Sequence, residues 1–363
     1  MKIGVLVLFG FVFCGAVPAC SEPNPLPSAE HDWGASVIDG GSVSATDASV
    51  SVPLVVRPPT PDLPRCTAPY APVLGAIPTA AQLPIFANAA YELSVGVGAA
   101  NAPAPATWVE SNNVSLPDSP SKFTVFSRLA SSLCPNAPDF VHEYSAVDTF
   151  APGADDTGTT ALSKDDSRFS AWATKVLSVT YGEGVSSSWQ TPQRALGPAT
   201  SDTADIVSLG EGGVISVGFD VKIADDDGYD LAVFENGFAD NYLELAFVEV
   251  SSDGLNFVRF DSASLVSASV GAYGTLDPKQ FEGLAGKYRV GFGTPFDLAW
   301  LKSRPEVQSG LVNLAQITAV RVVDIVGDGG SRDSFGHVIY DPYPTTGSAG
   351  FDLDAVGVLN RAQ

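Results

Sequence analysis

The densest chemistry in this chain is carboxylate chemistry. Residues 225–230 read Asp-Asp-Asp-Gly-Tyr-Asp, Glu235 and Asn236 follow shortly after, and Asp352 and Asp354 stand two apart much later in the sequence. Such groups suit a hard divalent cation, because calcium takes about six to eight oxygens and favours flexible loops. An EF-hand is excluded: setting Gly228 at that loop's glycine places Ile223 at the first ligand position and Phe234 at the last. A structural calcium (Ca2+) site therefore has to be assembled from separate segments. Asp225, Asp227, Asp230 and Glu235 are the local candidates. Asp352 and Asp354 are the natural completion, since a spacing of two puts both on one face of a strand. Gathered without a cation, such groups raise one another's pKa and hold protons instead. The alternative is that Asp227 and Asp230 make only turn hydrogen bonds while Asp352 and Asp354 face solvent.

A second set lies in residues 328–344, a connection long enough to suggest a binding role. Arg332, Asp333, His337, Tyr340 and Tyr343 offer the mixture of hydrogen-bonding groups and ring faces that suits a sugar. The competing reading is a loop that covers a sheet edge. Tyr288 and Trp300 fall in another loop-rich stretch, where Leu298, Ala299 and Leu301 around Trp300 favour burial over a stacking platform.

Catalytic patterns are few. There is no Gly-x-Ser-x-Gly elbow and no His-Glu-x-x-His helix. A glycosidase needs only two carboxylates, and Glu235 and Glu249 are available, so a secreted hydrolase stays as a third reading behind a binding module and a structural or adhesive protein.

The elements that must position these groups read as strands. Periodic apolar stretches at 214–221, 230–235, 243–251, 257–260, 319–326 and 351–359 are punctuated by Gly, Asp and Asn. In the first, Ile215, Val217, Phe219 and Val221 fall on one side and Ser216, Gly218 and Asp220 on the other, so one face belongs to a core. The stretch 167–182 opens as a short helix or turn, after which the series of strands begins. Many short strands of this kind predict an all-β jelly-roll β-sandwich over residues 161–363.

Upstream the pattern weakens. Residues 66–160 read as a small disulfide-containing β region, or as an extension packed on the sandwich. Residues 21–65, rich in Ser, Pro, Ala and Asp, read as a disordered low-complexity tether. Residues 1–20 have the cation, apolar run and small-residue exit of a secretory signal. Their apolar run is shorter than the ~20 residues a membrane span needs. The exit Val-Pro-Ala-Cys resembles a lipoprotein lipobox, which would lipidate Cys20; an ordinary signal with an incidental cysteine is the alternative. Of four cysteines, this leaves Cys66 and Cys134 for one disulfide in an oxidising compartment, worth about 4 kcal/mol by loop closure. A formal charge of −22 speaks against nucleic acid and anionic lipid as partners.

Several phrases carry a resemblance: RALGP at 194–198, VSLGEGG at 207–213, DLAVFEN at 230–236, VEVSSDG at 248–254 and GFDLDAV at 350–356. Together they resemble bacterial secreted "cell surface proteins" built on a galactose-binding-like jelly roll. The resemblance covers residues 165–360 and implies fold better than function. It implies a family with carbohydrate-binding-module-like and discoidin-like relatives that bind through loops at one end and often hold a structural calcium. With no sorting tail after Leu359, an N-terminal lipid is the expected anchor. The resulting expectation is an exported envelope protein, lipid-anchored and non-catalytic, that binds a glycan or another surface protein.

Overall fold

The computed structural model describes residues 68–87, 93–104, 108–129, 134 and 137–362. The signal, Cys20, the tether and Cys66 lie outside these residues. Cys134 is buried and disulfide-bonded; its pairing with Cys66 stays an expectation.

The first described elements make a five-stranded sheet: β1 (Ile77–Pro78), β2 (Leu93–Ala99), β3 (Val109–Glu110), β4 (Ser121–Leu129) and β5 (Phe140–Val147), in the order β1-β5-β4-β2-β3. The β1–β5 pairing is parallel, and the others are antiparallel. One face buries Phe123, Val125, Tyr144 and Ala146 with Leu83 and Ile77.

The strands that follow are β6 (Leu162–Ser163), β7 (Lys175–Thr180), β8 (Val207–Ser208), β9 (Val214–Ile223), β10 (Leu231–Glu235), β11 (Ala246–Ser251), β12 (Val258–Arg259), β13 (Phe292–Phe296), β14 (Ile317–Asp324) and β15 (Asp352–Val358). One sheet runs β7-β9-β14-β11-β12 and the other β8-β15-β10-β13-β6, with antiparallel neighbours throughout. From β7 to β11 each strand joins the opposite sheet from the one before, which is the jelly-roll β-sandwich expected from the sequence.

The alternation in β9 places Ile215, Val217 and Phe219 in the core between the sheets, against Val248, Val320 and Val322 of its own sheet and Leu231, Val233, Leu353 and Val356 of the other. Val221 is only partly buried. Deleting one methyl from this core with Ile215→Val is expected to lower stability by about 1 kcal/mol in urea unfolding. No change would mean that the two sheets repack freely around the site.

The second sheet is covered on its outer face as well. Phe169 and Trp172 each place a ring 5.5 Å from that of Phe234. Strand β10 is accordingly buried along its whole length. The stretch 167–182 opens with a turn, the second of the two expected forms, and continues as strand, where Lys175–Thr180 completes the edge of the first sheet beside β9.

The N-terminal sheet and the sandwich share a core. Ala263 is part of the cluster that holds Ala71, Val73 and Ile77, with Trp300 and Phe335 packed against it. At this junction the buried Asp261 carboxylate accepts from Val73 N at 3.1 Å, Arg304 Nη1 at 3.2 Å and Ser334 Oγ at 2.8 Å. The Arg304 guanidinium also lies 5.4 Å from the centre of the Tyr70 ring.

Candidate functional site

Loop 328–344 is held from inside by Asp333. Its Oδ1 accepts the backbone N–H groups of Phe335 and His337, and its Oδ2 accepts that of Ser264. The same Oδ2 stands 3.2 Å from His337 Nδ1. Asp333 is therefore buried scaffolding, and its bond to His337 raises the imidazole pKa against the effect of burial. With Nδ1–H donated inward, the neutral ring keeps Nε2 for solvent or a ligand. The His337 side chain is 43% exposed, enough for such contact.

His337 and Tyr340 line a cleft of about 480 Å3. It is lined also by residues 78–81, at the end of β1, and by residues 264–267, where Leu265 and Val266 supply apolar surface. Tyr340 packs across Gly329, where a Cβ would come within 2.9 Å of the ring, and φ there is +91°. Side chains at 78–81 are small, and Thr79 Oγ1 donates to Asp148 Oδ1 at 2.9 Å. Apolar side chains with a few polar groups among them are the make-up of a small-ligand site.

The other loop candidates sit elsewhere. Arg332 is exposed and turns back on its own loop, donating from Nη1 to Gly329 O and Ser331 O. Tyr343 is partly buried, precedes a cis proline and does not line the cleft. Residues 78–81 and 264–267 were not singled out in the sequence. Their signal is weak, because they contribute small and apolar side chains rather than a recognisable motif.

The acidic candidates divide between two places. Residue pairing runs Leu231 to Val358 and Glu235 to Leu353, so Asp230 lies at the opposite end of β10 from Asp352. The single cluster expected from Asp225, Asp227, Asp230, Glu235, Asp352 and Asp354 is thus corrected by strand register. At one end Asp225 and Asp230 meet Asp297, which the sequence reading missed, with ligand atoms within 4.8 Å of one another. Much of that charge is met. Lys302 Nζ pairs with Asp225 at 2.8 Å, Asp230 accepts from Leu298 N, Asp226 N and Asn360 Nδ2, and Asp297 accepts from Ala299 N. Burial still pushes Asp230 up to about 6. Asp227 is exposed, in the turn around Gly228.

At the other end Glu235, Asp352 and Asp354 are buried with three acids the sequence reading did not select, Glu244, Asp324 and Asp341. Burial drives all six upward, with Asp324, Asp352 and Asp354 pushed to about 7. Asp352 and Asp354 are therefore interior groups and do not face solvent.

Glu249 and Glu235 do not form a facing pair. Glu249 lies in the β11 sheet, bound to Arg259 at 2.8 Å and Arg321 at 3.2 Å, while Glu235 belongs to the opposite sheet. Among the described residues no helix is long and apolar enough to cross a membrane.

No protein-family model matches the sequence, and no curated protein matches it. Solved structures with some likeness include a SusE-like protein, at 9% identity and a TM-score of 0.29, covering 82% of this chain and all of that one. A two-domain protein of unknown function from Bacteroides fragilis aligns at 10% identity and a TM-score of 0.21, over 80% of this chain and 90% of the other. A structure described for promiscuous carbohydrate-binding modules of the β-sandwich superfamily aligns at 10% identity and a TM-score of 0.17, over 82% and 99%. Overlap this low carries no argument about ligand or activity.

Proposed function

We propose that this is an exported, lipid-anchored surface protein whose sandwich carries a non-catalytic module for an extracellular glycan. The observation that carries the reading is the cleft lined by residues 78–81, 264–267 and 336–340, which brings His337 and Tyr340 together with the apolar Leu265 and Val266. A sugar ring can lay an apolar face against Leu265 and Val266 while its hydroxyls meet His337 Nε2 and the Tyr340 hydroxyl. The Asp333 staple fixes the loop in advance, which lowers the ordering cost of binding. Anchoring through Cys20 rests on the lipobox resemblance.

The test is a glycan array on the whole mature chain, followed by calorimetry on any hit. Binding of at least one glycan class is expected, and His337→Ala and Tyr340→Ala should each weaken it about tenfold, roughly 1.4 kcal/mol, with little change in Tm. A blank array, or binding unaffected by both substitutions, would overturn the reading.

A second reading is an adhesive envelope protein that binds another protein. It is supported by the exposed rings of Phe238 and Tyr273. Tyr242 links their two segments by stacking on Phe238 and donating to Ala272 O. Loss of cell-surface association with a partner protein on Phe238→Ser, with glycan binding intact, would favour that reading.

A further inference from the structure

Two exposed aromatic rings stand beside a cleft lined with carboxylates. Phe238 is 70% and Tyr273 88% exposed, although large rings are usually covered. They are not carried on loose chain. The Phe238 ring stacks on that of Tyr242 with centres 4.6 Å apart, the Tyr242 hydroxyl donates to Ala272 O at 3.3 Å, and Leu276 N donates to Asn241 O at 2.8 Å. Val290 N donates to Gly237 O at 2.8 Å, which ties the first of these segments to the chain just before β13. The rings are therefore held out on two segments, 237–242 and 271–276, that brace each other.

The cleft, of about 510 Å3, opens on the same two segments: Asp240 and Asn241 lie between Phe238 and Tyr242 in the sequence, and Thr275 lies two residues beyond Tyr273. Asp155, Asp156, Asp240 and Asp277 line it, with a single cation, Lys279, among the described lining residues. Arg289 reaches Asp240 at 3.0 Å and pairs with Asp155 as well. Asp277 Oδ1 accepts from Lys279 N at 2.9 Å, which fixes that carboxylate at the start of a short turn. Among the described residues neither Asp156 nor Asp277 forms an ion pair, so two carboxylate charges in the cleft have no counter-charge in contact.

The charge of the chain narrows what can cover this face. A second copy docked face to face would bring its own carboxylates against these, and anionic lipid or nucleic acid would meet the same repulsion from a formal charge of −22. A basic protein segment brings the opposite sign, and its lysine and arginine side chains carry an apolar stem as well as a charge. With the stem against the Phe238 and Tyr273 rings and the head group in the cleft, such a side chain meets both halves of the surface at once. We propose that the Phe238, Tyr242 and Tyr273 rings and the cleft of Asp156 and Asp277 form one docking face for a basic segment of a partner protein. The proposal rests on the adhesive reading above and gives its partner a chemistry; it is independent of the glycan cleft.

The experiment uses the whole mature chain and short fluorescent peptides of equal length: one built of Lys, Leu and Gly, one with Glu in place of every Lys, and one with Ser in place of every Leu. Binding is read by fluorescence anisotropy. The basic, Leu-containing peptide is expected to bind saturably, about tenfold tighter than either counterpart, and to weaken as added salt shortens the reach of the charges. Phe238→Ser and the double variant Asp156→Asn/Asp277→Asn should each weaken it about fivefold with Tm unchanged, since the ring is exposed and Asn caps a turn as Asp does. Should Phe238→Ser misfold, Tyr273→Ser provides the same test. The matched control Asp226→Asn/Asp227→Asn removes two exposed charges at the far end of β10 and should bind like the parent. No binding of the basic peptide, full binding by the folded site variants, or a control as weak as Asp156→Asn/Asp277→Asn would each overturn the assignment. Equal binding of the basic and acidic peptides, with partner association still lost on Phe238→Ser, would overturn it while leaving the adhesive reading in place.

Discussion

Asp261→Ala is expected to lower the unfolding free energy of the whole chain by about 3–5 kcal/mol, the usual effect of removing one partner from a buried ion pair. Arg304 is nearly fully buried, and the same Asp261 carboxylate that pairs with it also binds Val73 N and Ser334 Oγ. The substitution leaves the buried guanidinium with only the longer contact to Glu306, at 3.9 Å, as counter-charge, and removes the acceptor of the Val73 N and Ser334 Oγ bonds at this junction. Urea unfolding measures the loss. The double variant Asp261→Ala/Arg304→Met should recover a large part of it, because an apolar side chain of similar length needs no counter-charge. A single variant within 1 kcal/mol of the parent would show that the junction does not depend on this pair. There is also a functional consequence. Val73 leads into the 78–81 wall of the cleft, and Ser334 precedes the 336–340 segment that also lines it, so any glycan affinity should fall along with stability.

The sandwich was legible where only one face of a strand is buried. Ile215, Val217 and Phe219 alternate with Ser216 and Gly218, and that period identifies β9 without help from the rest of the chain. Strand β13 was not legible, because FGTPF carries Gly293 and Pro295 and reads as loop. The fold explains both residues: a Cβ at Gly293 would lie 2.8 Å from the Phe234 ring, and Pro295 stands opposite Ala232. Neither constraint is visible locally.

The acidic candidates show the same division. Aspartates close in sequence suggested one cluster, but antiparallel register distributed them to the two ends of β10. Glu244, Asp297, Asp324 and Asp341 could not be selected in advance, because each stands alone in the sequence and gains acidic neighbours only through pairings across the sheets and their loops. The His337–Tyr340 segment was legible by composition. The 78–81 wall that completes its cleft was not.

In chelator the protein is expected to lose stability as pH rises from 5 to 8. Burial pushes Asp324, Asp352 and Asp354 up to about 7 in the folded chain, whereas in the unfolded chain such groups titrate near ~4. Between those values the folded state holds protons that the unfolded state has released. The corresponding stability is fully present below pH ~4 and lost as pH climbs through about 7. A single group shifted by about three units accounts for up to ~4 kcal/mol. His337, raised by its bond to Asp333, acts in the same direction. Asp253, held low by the backbone N–H groups of Asn256 and Leu255, acts in the opposite sense but only in more acidic solution. Thermal unfolding in chelator at pH 5, 6.5 and 8 should therefore show a falling Tm, and Asp324→Asn should flatten the decline by removing one of the buried protons. A Tm that is level or rises over that range would mean that the six acids are accommodated as anions by solvent or backbone donors.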